Sequence, residues 1–274
     1  MKLKKMILCL GIIAVIFSCA TNPFTGKQTM AFVSNDQLFP SAFAQYNQVL
    51  TENKIITGTT DAKMITRVGQ RIAVAAERYL NANGFQGYLD DYKWEYALIE
   101  SEQVNAWCMP GGKIAFYTGI LPIAANETGV AAIMGHEVAH ALANHGQQRM
   151  SAAYLQQGIS LAGNVALAND ENLGIYNQAF GIASSVGGML PFSRSHETEA
   201  DKIGLYLMAI AGYNPDEASI LWERMKANSG GEAPPEFLST HPSNDSRIQN
   251  LKSLAPTAKA EAKKFGVTSF RPIN

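Results

Sequence analysis

The sequence predicts an α+β fold that is mostly helical, with one small antiparallel-edged sheet. Three observations lead there. Most of the 274 residues read at helical spacing, while alternating and strand-turn-strand patterns are confined to Tyr92–Leu121. Those strands stand together ahead of a long helix instead of alternating with helices, which separates α+β from α/β. Hydrophobic residues make up 47% and charged residues 16%, a balance that can bury a sizeable core.

The elements follow in order. Met1-Lys2-Leu3-Lys4-Lys5 is a positive start, Met6–Phe17 a short apolar run, and Ser18-Cys19 follows, the build of a secretory signal too short to anchor stably across a bilayer. A small residue and then Cys at the end of such a run resembles a bacterial lipobox, with Ile16 and Phe17 a loose fit. The expectation is a signal over 1–18, an acylated Cys19 that tethers the chain to a membrane, a turn-rich tether over 19–34 with Pro23 and Gly26, and one domain over 35–274. Of three cysteines, Cys9 leaves with the signal and Cys19 is acylated. Cys108 then stands alone and reads as a small packed residue, not a nucleophile.

Asn35–Asn53 reads as a helix. Thr60 is a good cap for the next, where Met64, Ile65, Val68, Ile72, Ala75, Ala76 and Tyr79 recur at helical spacing as far as Asn83-Gly84. Tyr92–Ile99 alternates as a strand. Val104–Cys108, Pro110-Gly111-Gly112 and Lys113–Tyr117 read as strand, turn and strand. Asn126 caps a long helix with Glu127 in its first turn and Val130, Ile133, Met134, Val138 and Leu142 as its apolar set. A further helical block runs over 172–189, broken by Pro191-Phe192-Ser193-Arg194. His196–Ala211 is helical and ends at Gly212. Asn214-Pro215 opens another helix, Gly230–Pro235 is a loop, and the last helix starts near Ser243. The net charge of -1, without a basic or acidic run, excludes a nucleic-acid surface and an acidic tail.

The chemical signal is His136-Glu137-Val138-Ala139-His140. Residues four apart on a helix lie about 40° apart around the axis, so both imidazoles face one point, as a tetrahedral metal ion requires. Glu137 sits one step round, within reach of a water activated there, where it can serve as general base. Two histidines and a glutamate on an otherwise apolar helix face would be costly to bury without a metal. A third ligand is needed. The metzincin pattern fails, because Ala143 and Gly146 occupy the positions it needs. His145 falls on the opposite side of a continuous helix and reads as a capping or packing histidine. Glu197 and Asp201, four apart on a downstream helix, suit the ligand and the partner of a ligand histidine. Glu199 points elsewhere and reads as an ordinary surface acid.

These residues, with Asn22–Gly26, Asn105-Ala106, Pro110–Gly112, Ser193-Arg194, Gly204, Ser239–Pro242 and Arg247-Ile248, resemble the bacterial lipoprotein branch of the HtpX-like zinc metallopeptidases. The relatives of that branch include the CAAX prenyl proteases and the Oma- and Bep-type quality-control proteases. The resemblance covers about Asn22–Leu251. It implies a gluzincin fold, one zinc per chain, and Glu197 as third ligand. It also implies a peptide substrate along an edge strand near Gly112–Tyr117. His241 would lie close to the metal, steadying an oxyanion or filling the open position. Arg194 and Arg247 read as structural pairs. The sequence departs from the integral-membrane relatives, having no apolar stretch of about 18 residues after the signal. It runs only to Asn274, whereas Bep-type relatives carry a C-terminal repeat domain. The expectation is a zinc metalloendopeptidase, lipid-anchored in the bacterial envelope and facing the periplasm, acting on unfolded or misassembled envelope proteins. The other reading is a non-proteolytic assembly factor with a structural or latent zinc.

Overall fold

The computed structural model describes residues 19–166, 193–228, 236–241 and 245–273. The signal, the helical block expected over 172–189, the break at Pro191-Phe192 and the Gly230–Pro235 loop lie outside the described residues.

The tether segment is a hairpin, β1 (Cys19–Thr21) antiparallel to β2 (Gln28–Met30). Helix α1 (Asn35–Glu52) opens on a capping arrangement in which the Ser34 N–H donates to Gln37 Oε1 at 3.3 Å. Helix α2 (Thr60–Ala82) is capped by Thr59, one residue ahead of the cap the sequence suggests, its hydroxyl accepting from the Ala62 N–H. The buried stripe Ile65, Val68, Ile72, Ala76 and Tyr79 follows the expected spacing.

Strands β3 (Ile55–Ile56), β4 (Glu95–Ile99), β5 (Ala106–Met109) and β6 (Lys113–Tyr117) form one sheet in the order β3-β4-β6-β5. β4 and β6 run parallel, and both outer pairings are antiparallel. This corrects one expectation: the segment Gly112–Tyr117 is an interior strand, and the edge beside it is β5. The reason is the hairpin at Pro110-Gly111-Gly112, which folds β5 onto one side of β6 while β4 occupies the other. Gly111 and Gly112 have φ of 80° and 87°, and their carbonyls accept from the Lys93 and Glu95 N–H groups at 2.8 and 3.0 Å. A Cβ would meet the Phe43 ring at 2.5 Å from Gly111 and the Trp94 ring at 2.7 Å from Gly112, so only glycine turns this corner.

The remaining described helices are α3 (Leu121–Ala124), α4 (Glu127–Leu142), α5 (His145–Ala166), α6 (Arg194–Ile210), α7 (Asp216–Asn228), α8 (Glu236–Thr240) and α9 (Asp245–Lys264). α4 is the centre of the molecule. It is buried from Thr128 to Leu142 and packed by α2, α6, α7 and β5. It is apolar nearly all round, which suits a central helix better than a surface one. The Asn126 side chain caps it, accepting from the Gly129 N–H at 2.8 Å. The helix does not continue past the motif as a single rod. Asn144 adopts φ 56°, a left-handed turn that Asn tolerates, and α5 sets off from His145 in a new direction. Among the described residues no helix is long and apolar enough to cross a membrane.

Candidate metal centre

α4 presents His136, Glu137 and His140, each only 4% exposed. The two Nε2 atoms are 3.1 Å apart. α6 supplies the carboxylates. Its N-cap Ser193 accepts from the His196 N–H, which sets the helix phase so that Glu197 in the first turn and Asp201 one turn on share a buried face. Glu197 Oε1 lies 3.2 Å from His140 Nε2, and Asp201 Oδ1 lies 3.0 Å from His136 Nδ1. Just past α8, His241 brings Nδ1 to 3.1 Å from both His136 Nε2 and Glu197 Oε1, with Nε2 3.4 Å from Glu137 Oε1.

Donor atoms of His136, His140, Glu197 and His241 all lie within 4.8 Å of one another. Asp201 Oδ1 accepts a hydrogen bond from His136 Nδ1–H, so the Nε2 lone pair is directed into the cluster. Bare ring nitrogens at 3.1 Å from each other, with a carboxylate beside them, form the donor set that suits a tetrahedral divalent cation. Among the described residues Glu137 Oε1 is buried without a hydrogen bond, a costly arrangement unless a group at the cluster engages it. The residues present therefore fit a metal.

Electrostatics point the same way for His140 and Glu197, while His136 would release a proton on binding a metal. Burial holds His140 well below its ordinary value, so it is neutral, as a ligand must be. Burial also depresses His136, but Asp201 and Glu197 outweigh it and hold that imidazole at about 9. Burial opposes the ionisation of Glu197, yet bonds from His136, His140 and His241 keep it far below the usual carboxylate range. Burial pushes Glu137 above its ordinary value, against the pull of His241 and His136. Packing raises the Cys108 thiol well above its usual range, which leaves it inert as a nucleophile.

All six site residues proposed from the sequence converge here, joined by Arg247, His145, Glu199 and Asn22. Arg247 is buried and clamps Asp201 at 2.8 and 2.7 Å and Glu197 at 2.8 Å. Its guanidinium lies 3.6 Å over the Trp222 ring. Arg194, by contrast, is exposed at the start of α6. His145 does not face away from the motif: the Asn144 turn brings its Nδ1 to 2.9 Å from His140 Nδ1. Glu199 is no surface acid, for its side chain is 10% exposed and accepts from Asn22 Nδ2 at 2.8 Å. The signals were a left-handed-tolerant Asn before His145 and a third acid in Glu197–Asp201. Neither fixes a contact until the helices are placed.

The fold and site together define a mostly helical domain of the zincin class, with its metal-binding cluster between two crossed helices. The chain belongs to peptidase family M48, whose sequence profile matches residues 61–255. It is 39% identical over 175 residues to the mitochondrial metalloendopeptidase OMA1 of Schizosaccharomyces pombe, covering 63% of this chain and 50% of that protein. The Saccharomyces cerevisiae protein of the same name is 37% identical over 201 residues, covering 71% and 56%. The beta-barrel assembly-enhancing protease of Escherichia coli is 26% identical over 188 residues, covering 65% and 38%. The chain thus spans about half the length of the first relatives it matches.

Proposed function

We propose that this chain is a zinc-dependent metalloendopeptidase acting on unfolded or misassembled polypeptides of the bacterial cell envelope. The observation that carries the reading is the convergence of His136, His140 and Glu197 beside the buried Glu137 carboxylate, whose Oε1 has no hydrogen bond among the described residues. These three residues would hold one zinc per chain, which supplies Lewis acidity toward a scissile carbonyl and an attacking water. Glu137 takes the proton of that water and hands it to the leaving amine, a shuttle helped by burial that raises its proton affinity. Asp201 fixes the His136 tautomer from Oδ1. An extended substrate segment pairs with the backbone of edge strand β5, which stands against α4. Acylated Cys19 holds the domain at a membrane facing the periplasm, the outer membrane of a two-membrane envelope.

The contacts of His241 favour a second state. With Nδ1 3.1 Å from His136 Nε2 it supplies a fourth donor, and a site closed by four protein ligands is latent or structural. In that state the chain would act as an assembly factor that holds clients without cutting them.

The test is casein hydrolysis with zinc content determined on the same samples. The wild type is expected to hold about one zinc per chain and to cleave. Glu137→Gln should hold zinc and lose about 10²- to 10⁴-fold in rate. If both hold zinc and neither cleaves, His241→Ala decides: gained activity marks latency, and none marks a binding factor. Mass analysis of the mature N-terminus checks acylation of Cys19.

A further inference from the structure

We propose that Asn22, Glu199 and His145 form a hydrogen-bonded relay that positions His140, so that the tether segment itself is built into the metal centre. The inference rests on the metal-binding reading above. His136 meets a carboxylate directly through Nδ1, at Asp201. His140 does not. Its Nδ1 faces another imidazole, His145, across 2.9 Å between two Nδ1 atoms. Such a pair bonds only if one nitrogen carries the proton and the other does not. His140 Nε2 faces Glu197 and His136, so as a ligand it keeps its lone pair, and the proton sits on Nδ1.

Every later step then has one polarity. His140 Nδ1–H donates to His145 Nδ1. His145 therefore carries its proton on Nε2, which faces Glu199 Oε2 at 3.4 Å. Glu199 Oε1 accepts from Asn22 Nδ2 at 2.8 Å. Each donor meets an acceptor from the leader to the ligand. Asn22 is itself held, with Oδ1 accepting from the Phe24 N–H at 2.9 Å and the Thr25 N–H at 3.3 Å. Asn22 and His145 are 1% and 0% exposed and the Glu199 side chain 10%, so water has little access along the path. The rest of the leader is fastened to the domain. Phe24 stacks on Tyr79 with ring centres 5.0 Å apart, and the Phe32 N–H donates to Ser151 Oγ at 3.0 Å on α5. A leader that served only as a flexible spacer needs none of this.

The experiment uses the full mature chain and zinc alone, in competition with a chromophoric chelator. It is paired with the visible spectrum of the cobalt-loaded protein and thermal unfolding of the metal-free protein. Removing a partner of this kind weakens metal binding by about 10- to 100-fold. That loss, with a shifted cobalt spectrum, is expected for His145→Phe and for Glu199→Gln, whose amide sets a donor against a donor. Asn22→Ala should sit near the tenfold end. His145→Gln, which offers an acceptor and a donor, should recover part of the loss. If His145→Phe does not fold, Glu199→Gln and Asn22→Ala carry the test. Zinc affinity and cobalt spectrum unchanged in those two, with the wild type binding metal, overturn the relay alone. So does an affinity loss fully matched by lost metal-free stability, because that marks a structural role. A wild type that binds no metal overturns the metal reading and the relay together.

Discussion

Arg247 shows what a buried cation does at a metal site it does not ligate. Its fork holds both oxygens of Asp201 and one of Glu197, while its flat face covers Trp222. Burial pushes the Asp201 carboxyl up, but the Arg247 charge and the His136 hydrogen bond outweigh it and hold the group below its ordinary value. Arg247→Met leaves two buried carboxylates short of a partner, and such a loss costs about 3–5 kcal/mol. Arg247→Lys keeps the charge but forfeits the bidentate geometry and the stacking, so it should fall between the two. Urea unfolding of the metal-free proteins measures this, and a midpoint unchanged in Arg247→Lys would show that a point charge suffices. The residues at helical spacing of four were readable from sequence, because one helix already fixes their mutual direction: His136 with His140, Glu197 with Asp201. Arg247 was readable as a structural pair, but its partners, and those of Asn22 and His145, were not, because each reaches the site by a turn or from a distant segment whose path the local pattern does not contain.

At the level of elements, the site depends on how closely α4 and α6 cross. A Cβ on Gly135 would lie 2.8 Å from the Gly204 carbonyl oxygen, and one on Gly204 would lie 2.9 Å from the His136 backbone nitrogen. The two glycines let the backbones touch next to a ligand. Gly204→Ala must separate the helices or strain them, and overpacking of this kind costs about 1–3 kcal/mol. The same shift moves Glu197 away from His136 and His140, so the variant should also release zinc to a chelator more readily than Gly212→Ala, a change away from the crossing. Equal zinc retention in both would show that the crossing has slack. Element types were largely legible, since α2 follows a clear helical periodicity, Asn126 caps α4 and a glycine turn precedes β6. Sheet order was not. The strand-turn-strand pattern around Pro110-Gly111-Gly112 marks Lys113–Tyr117 as a strand, but only the partners of β6 on both sides reveal that β5 is the open edge.

Over the whole molecule, the class was legible because the motif, the grouped strands and the helical remainder agree, while the docking of the leader and C-terminal segment was not. One residue ties these distant parts together. Glu127, in the first turn of α4, accepts from Arg67 of α2 at 2.6 Å and from the Tyr213 hydroxyl at 2.8 Å, and lies 3.4 Å from Arg271. Its negative charge also suits the helix N-terminus. The Arg67 hydrogen bond lowers the Glu127 carboxyl below its ordinary 4.5, burial opposes this, and Tyr213 and Arg271 reinforce it. A carboxyl depressed on folding binds fewer protons folded than unfolded between the two values. Its contribution is complete above 4.5 and is lost as the pH falls below 4.5 through the folded value. Glu127 is partly exposed and its two arginine partners are solvated, so the contribution is about 1 kcal/mol or less. Glu127→Gln should therefore be less stable than the wild type at neutral pH by about that amount, and the gap should close on acidification below 4.5. Metal-free protein is the right sample, because zinc release at low pH would otherwise enter the comparison. A gap that stays constant through that range would assign the loss to packing of the side chain instead of its charge.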